Sequence, residues 1–292
     1  MLDEIYISVH DQELILQLEQ NNCFRNIKEY KYLFLGMRPV DKLGNLKNKV
    51  IITRDLEHNI EEQKCMFDYT GWYALVKNNL IKKKYVTIVH YDCFLKKGFQ
   101  EKINKTFRKH PDCVISFQPH LLTCNYFISD EFASTIIPAC KQVYGIDVYK
   151  IVDNAVKSGD KYWPGGGSFS CSKEWLEGYI NWVEPMKPML MADKMCSHNV
   201  ERSMKFYDIV HNVHEEYLPD IMEHIFNCAH DQPYKSDELI QCARNRYQQF
   251  LNGELFEEDN NNNGILHHIF SLTNKGNRKI ISIMGLKLKI KK

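Results

Sequence analysis

Short apolar runs alternate with helix-spaced segments along the first half of the chain. Runs rich in β-branched and aromatic residues predict strands at 5–9, 32–35, 50–53, 85–89 and 113–117. Apolar residues at helical spacing predict helices at 11–20, 57–83 and 99–109. Because strands and helices take turns, the connections should cross over a common sheet. The pattern therefore predicts an α/β fold with a mostly parallel sheet flanked by helices.

The second half of the chain reads as mainly helical. Helical spacing predicts helices at 130–144, 147–158, 173–182, 194–211, 218–228 and 236–251. The asparagine run 260–263 predicts a flexible joint. Beyond it, 279–290 alternates apolar and basic residues around Gly285, as in a small hairpin or an interfacial strand. We therefore expect a main domain at 1–215, a helical extension at 216–259, and a joint with a basic tail at 260–292.

Charge is distributed unevenly along the 292 residues. The formal net charge is +1, but seven of the 38 Lys and Arg residues lie at 274–292, where no acid occurs. The chain before residue 274 is therefore mildly acidic, which argues against a general nucleic-acid binder. The basic end is expected either to meet an anionic membrane surface or to be a solvated terminal extension.

The cysteines and the start of the chain bear on its compartment. Ten cysteines occur without a C-x-x-C pair, and Asp3 and Glu4 stand where a secretory signal would be basic. No apolar run approaches the roughly 18 residues of a membrane span. These features predict a cytoplasmic protein with free thiols, which could lie peripherally at the inner face of the plasma membrane through its basic end.

The end of the predicted strand 85–89 carries the most informative residues, His90, Tyr91 and Asp92. Ligands of open α/β sheets bind at the carboxyl ends of strands, where this imidazole and carboxylate emerge. Their i, i+2 spacing in extended chain places both side chains on one face. Together they could hold a divalent cation that neutralises a diphosphate. Alternatively, His90 caps the strand and Asp92 only begins a turn.

A second candidate is the run Trp163-Pro164-Gly165-Gly166-Gly167. Glycines let the backbone approach a ligand closely, and an indole offers a face for a sugar ring. A plain glycine-rich turn is the alternative. P-loop, G-x-G-x-x-G and G-x-S-x-G motifs are absent from the sequence. Phosphate binding by a P-loop, Rossmann-type dinucleotide binding and serine hydrolysis therefore have no support.

Two acids near the predicted helix 194–211 are candidate bases. Asp193 stands just before this helix, so it reads either as an N-cap or as a general base. Glu201 follows eight residues later and shares its face if the helix starts early. One of three histidines on this helix and its end could complete a metal site begun by Asp92, and the sequence does not choose among His198, His211 and His214.

The order of these features resembles bacterial GT-A-fold glycosyltransferases, most of all the DUF4422-like group of capsule and lipooligosaccharide gene clusters. In that group the central strand often ends in Cys-His-Tyr-Arg-Arg, where this chain has Val89-His90-Tyr91-Asp92-Cys93. The group's Phe-x-x-Glu-Arg helix has its counterpart at 198–202, and its E-x-T-A-x-Y-W-x-W-K-N helix resembles 69–78. The segment 279–289 resembles the ends of Campylobacter-type surface-glycan transferases. The likeness covers about 1–215 and 275–292.

The resemblance implies a GT-A-like, that is Rossmann-like, catalytic domain at 1–215 and a role for each candidate residue. GT-A enzymes usually carry Asp-x-Asp where this chain has His-x-Asp, which leaves metal dependence open. If a cation, Mn²⁺ or Mg²⁺, is used, Asp92 would be its first ligand and His90 a ligand or a supporting group. Donor binding would fall to His10, Asp11, His90, Tyr91 and Asp92; acceptor and sugar binding to Trp163, Gly165, Gly166 and Gly167; and base catalysis to Asp193 or Glu201.

The implied activity is sugar transfer from a nucleotide-diphosphate sugar to a bacterial surface glycan, either capsule or lipooligosaccharide. Its partners would be the nucleotide-sugar donor, a glycan or lipid-linked acceptor and an anionic membrane surface, and not nucleic acid. Two alternatives stay open. One is a non-catalytic nucleotide- or carbohydrate-binding partner in a glycan assembly complex, and the other is a phosphotransferase acting on the same glycans.

Overall fold

The computed structural model of the protein describes residues 3–62, 66–122, 130–164, 167–191, 196–225, 237–255, 270–275, 278–283 and 286–291. The chain forms two compact units, Met1–Glu254 and Leu255–Lys292. The division predicted from sequence, into 1–215, 216–259 and 260–292, stays a prediction.

The first unit alternates strands with helices. Its strands are β1 (Asp3–Val9), β2 (Lys31–Phe34), β3 (Val50–Ile52), β4 (Tyr85–His90), β5 (Cys93–Leu95), β6 (Val114–Ser116), β7 (Pro119–Leu121), β8 (Tyr162–Pro164), β9 (Phe169–Ser172), β10 (Glu215–Tyr217) and β11 (Met222–His224). Its helices are α1 (Gln12–Gln20), α2 (Asp68–Lys77), α3 (Phe99–Lys109), α4 (Asp130–Tyr144), α5 (Val148–Lys157), α6 (Lys173–Val183), α7 (Lys187–Leu190), α8 (Cys196–His211) and α9 (Asp237–Leu251).

Seven strands form the central sheet, in the order β10-β6-β9-β4-β1-β2-β3. β9 runs antiparallel to both of its neighbours, and the other pairings are parallel. β4 is buried over Tyr85–Val89, as its continuous apolar run requires of a strand covered on both faces. Its partner β1 places Ser8 opposite His90, so the two strands end side by side. The predicted α/β fold with a mostly parallel sheet flanked by helices is confirmed.

The prediction of one helix over 57–83 was wrong for most of its length: within the described residues 57–62 and 66–83, only Asp68–Lys77 is α-helical. Upstream, side chains satisfy the backbone locally instead of leaving it to a helix. Asn59 Nδ2 donates to Leu56 O at 2.8 Å, and Asn59 Oδ1 accepts from the amide of Glu61 at 3.3 Å. Such side-chain bonds compete with helix formation. The helix therefore begins late, at Asp68.

The predicted helix over 218–228 was also wrong within the described residues. Pro219–Ile221 makes a single 3₁₀ turn, and Met222–His224 is the strand β11. β11 pairs antiparallel with β5, with His224 opposite Cys93. Long-range pairing thus overrode the local helical spacing, and it brought a histidine to the end of β4.

The second unit contains an antiparallel three-stranded sheet of β12 (Phe270–Lys275), β13 (Arg278–Ile283) and β14 (Leu286–Lys291). β13 and β14 pair antiparallel with Ile283 opposite Leu286, which agrees with the first of the two alternatives expected from the sequence, a small hairpin rather than an interfacial strand. Within the described residues, every helix is too short or too polar to cross a bilayer.

Helix α8, which carries Glu201, packs against α6 through aromatic side chains. Tyr179 donates from its hydroxyl to Val200 O at 2.7 Å. Gly178 lies under Tyr207, and a Cβ added to Gly178 would collide with the Tyr207 hydroxyl oxygen. The next atom of Tyr207 would be at 3.6 Å, an ordinary contact. The close approach of the two helices thus depends on a glycine facing one hydroxyl.

This contact predicts opposite effects of Gly178→Ala in two backgrounds. In the wild type, overpacking of about 1–3 kcal/mol should exceed the helix-propensity gain of about 1 kcal/mol, so the variant is destabilised. In a Tyr207→Phe background the collision is removed, and the same substitution should stabilise the protein by up to about 1 kcal/mol. Urea unfolding of the four proteins measures both effects. Equal effects in the two backgrounds would contradict the packing described here.

Candidate metal and donor site

His90 and Asp92 lie at the carboxyl edge of the sheet because β4 ends there. His90 is the last residue of β4, and its amide donates to the buried hydroxyl of Ser168 at 3.3 Å. Tyr91 continues the parallel pairing, with its amide 3.0 Å from Ser8 O. Asp92 follows and is 5% exposed. The structure thus brings together the imidazole and the carboxylate that the i, i+2 spacing placed on one face.

His224 adds a second imidazole to this edge. Its Nε2 lies 3.0 Å from Asp92 Oδ2, and its Nδ1 donates to Gln118 Oε1 at 3.1 Å. A metal-binding histidine typically donates from its second nitrogen to a carbonyl or carboxylate, which fixes the ring and leaves the other nitrogen for the ion. His224 has this arrangement, with Nε2 facing the site.

The ligand atoms of His90, Asp92 and His224 all lie within 4.8 Å of one another. Two imidazoles and a carboxylate form a donor set suited to divalent transition metals, whereas Mg²⁺ prefers oxygen ligands. Of the two cations expected from the sequence, the residues present therefore fit Mn²⁺ better. Among the described residues, moreover, His90 Nε2 is buried, and its contact with the carboxylate of Asp68 at 3.1 Å lacks good hydrogen-bond alignment.

Asp68 also belongs to the site, and the sequence reading missed it. Asp68 begins α2, and its Oδ2 lies 3.1 Å from His90 Nε2, an ion-pair distance. An acid at a helix start usually serves the helix, so spacing alone gave no reason to connect it with a strand 22 residues later. Burial alone would raise the pKa of Asp68, but the charge of His90 lowers it below its usual value.

Carboxylates control the protonation of His90. Burial alone would lower the pKa of this imidazole, but Asp68, with smaller contributions from Asp92 and Glu201, raises it to about 9. The pKa of Asp92 responds in the opposite sense: burial would raise it, and the hydrogen bond and charge of His224 lower it. The metal-free site therefore holds a protonated His90 beside ionised carboxylates at neutral pH.

Gly167 gives the backbone room beside His90. Its φ is +59°, and a Cβ at this position would lie 2.9 Å from His90 Nε2. Both observations require glycine here. Gly165, Gly166 and Asp193 lie outside the described residues. Trp163 is buried in β8, with its ring 5.0 Å from the ring of His120 and 5.7 Å from the guanidinium carbon of Arg202.

The predicted donor residues at the end of β1 adjoin the same edge. The His10 ring packs edge-on against Tyr91 at 5.1 Å, and Tyr247 lies 6.4 Å from Tyr91. Burial and the charge of Arg38 lower the pKa of His10. Asp11 caps α1 by accepting from the amide of Glu13 and also pairs with Arg38 at 2.7 Å. Aromatic faces and an exposed cation thus lie beside the metal-binding group.

The second histidine of the group, His224, is not one of the three expected from the sequence. His211 packs on Tyr207 with a ring separation of 4.2 Å, and His214 lies next to Glu216. The side chain of His198 lies outside the described residues. His224 instead completes the group, and no local signal marked it, because it comes from the segment wrongly predicted to be helical.

No protein-family model and no curated protein matches the chain. Among solved structures, the chain is similar to the apo structure of WbbM, a bifunctional glycosyltransferase, with 14% sequence identity and a TM-score of 0.49. The similarity covers 76% of this chain and 45% of that one, so this chain spans less than half the length of that structure. A likeness of this size carries no functional conclusion, and the chemistry of the site depends on its own geometry.

The raised pKa of His90 predicts a pH-dependent contribution to stability in metal-free buffer. Because the folded pKa, about 9, exceeds the ordinary 6.5, this stability is fully present below about pH 6.5 and is lost as pH rises through 9. The difference in unfolding free energy between wild type and His90→Gln should therefore shrink by on the order of 3 kcal/mol from pH 6 to pH 10. Denaturant titrations with a chelator present measure it. A difference that stays constant over this range would refute the assignment.

Proposed function

We propose that this protein is a glycosyltransferase that moves a sugar from a nucleotide-diphosphate sugar to a bacterial surface glycan or its lipid-linked precursor. The observation that carries the proposal is the group of His90, Asp92 and His224, with Asp68 beside it, where β1 and β4 end together. Ligands of open α/β sheets bind at this edge. A cation-binding group there suits a diphosphate, the most strongly charged part of such a donor.

The residues around this group would each bind a different part of the nucleotide-sugar donor. The rings of His10 and Tyr91 offer flat faces for the nucleobase of the donor. Arg38, which is paired with Asp11, offers a positive charge to its phosphates. A divalent cation held by His90, Asp92 and His224 would stabilise charge on the leaving diphosphate. Gly167 keeps the space beside His90 clear for the donor.

The acceptor side is assigned more coarsely. We propose Trp163 and the turn of Gly165, Gly166 and Gly167 for sugar binding, and Asp193 or Glu201 as the base that deprotonates the acceptor hydroxyl. Glu201 is close enough to His90 for its charge to raise the pKa of that imidazole. This proximity makes Glu201 a direct competitor of Asp193 for the role of base. A retaining reaction would need neither.

We expect Asp92→Asn to abolish most turnover while the protein stays folded, because the buried carboxylate is replaced by a neutral, nearly isosteric amide. The assay measures release of nucleotide diphosphate from a panel of nucleotide sugars with Mn²⁺, with and without acceptor. Asp153→Asn, on the exposed face of α5 and paired with Lys157, is the matched control and should keep wild-type activity.

The same assay separates the alternatives. The alternative of a non-catalytic binding partner is suggested by the histidine that replaces the first acid of Asp-x-Asp. Such a protein would show donor-dependent thermal stabilisation without any diphosphate release. A phosphotransferase would give an acceptor whose added mass includes a phosphate. Near-normal activity of Asp92→Asn at saturating donor would contradict the assignment of the site.

The two candidate bases predict different outcomes. If Asp193 is the base, Asp193→Asn should lower turnover by at least about 10²-fold with little change in donor binding, whereas Glu201→Gln should not. If Asp193 is only an N-cap, Asp193→Ala should cost about 0.5–2 kcal/mol of stability and leave the folded protein active. Turnover, donor binding and melting temperature of the three variants decide between these roles. Full activity in all of them would eliminate base catalysis by either residue.

A further inference from the structure

A second group of metal-binding side chains meets at the edge strand β10, which β6 and β9 separate from β4. His214 and Glu216 are two residues apart in extended chain, so both side chains lie on one face. His110 joins them from the end of α3. Glu216 Oε1 lies 2.9 Å from His214 Nε2 and 3.3 Å from His110 Nε2.

These distances are close to those of a metal-bound set. The ligand atoms of His110, His214 and Glu216 lie within 4.8 Å of one another. Ligands at about 2.0–2.2 Å from a tetrahedral zinc ion are roughly 3.4 Å apart. Small rotations of the three side chains would therefore admit an ion between them. Two imidazole nitrogens and one carboxylate oxygen are a donor set that zinc accepts, with further positions left for water.

The backbone already holds the ligands in place. The amide of Val114 donates to His214 O at 2.9 Å, and Glu216 pairs with Ile115 in the sheet. The side chains of His110, His214 and Glu216 are 32%, 56% and 30% exposed, so an ion can reach them from solvent. Unlike Asp92, Glu216 is not enclosed, and the site is open on one side.

We propose that His110, His214 and Glu216 bind a zinc-type divalent cation, which ties the edge strand β10 to the segment after α3. His214 and Glu216 lie 104 and 106 residues after His110 along the chain, so the three ligands come together only in the folded protein. The ion therefore stabilises the folded state by mass action. The proposal is independent of sugar transfer and of the group at His90.

Zinc titration of the full chain tests this site against a matched control. His214→Gln and His110→Gln should each bind one Zn²⁺ fewer than the wild type by calorimetry. At a free Zn²⁺ concentration of about 100 times Kd, zinc at this site should raise the melting temperature of the wild type by about 5–10 °C. The two variants should lack this rise. His58→Gln removes a histidine that is 54% exposed and also next to a glutamate, and it should bind Zn²⁺ like the wild type.

The outcomes distinguish this site from the donor site. Asp92→Asn should still bind the Zn²⁺ ion that His214→Gln no longer binds, whatever the effect of Asp92→Asn on turnover. Unchanged stoichiometry in both His110→Gln and His214→Gln would overturn the proposal. So would an equal loss in His58→Gln, which would mean that any exposed histidine of this chain takes up zinc.

Discussion

Asp92 is 5% exposed, and its carboxylate meets the imidazole of His224 at 3.0 Å. An ionised carboxylate without such a partner would be strongly unfavourable at this burial. His224 is available only because β11 pairs with β5 and the amide of Ile225 donates to Asp92 O at 3.1 Å. The bidentate pair of Arg246 with Glu223 then holds β11 against α9. The site, the small sheet and the helix therefore depend on one another.

Elements with a strong local signal could be predicted from the sequence. The five strands predicted for the first half are present with ends within two residues of those predicted, and α3 and α4 have the predicted bounds. The His90 and Asp92 pair could likewise be read from its position at a strand end. His224 could not, because its place depends on pairing with a strand about 130 residues earlier. Asp68 was hidden because an acid that begins a helix has a local explanation.

Two His-x-acid patterns in extended chain show what spacing can and cannot tell. His90-x-Asp92 and His214-x-Glu216 place an imidazole and a carboxylate on one face by the same geometry. Only the first pattern follows a strand that is recognisable in the sequence, because β10 is three residues long and comes after a helix. Both gain a further histidine from a distant segment. The two sites differ in burial. The site at His90 and Asp92 can exclude water from a charged ligand, whereas the site at His214 and Glu216 is open to solvent.

Charge balance at the first site explains why its protons and its cation would be linked. Asp68 and Asp92 both have lowered pKa values, so they bring two negative charges into a buried edge. Without a cation, a protonated His90 offsets part of this charge, which is the physical reason for its raised pKa. A divalent cation offsets both charges and needs the lone pair of His90, so its binding should release that proton. The same carboxylates that hold the proton thus favour its exchange for a doubly charged ion.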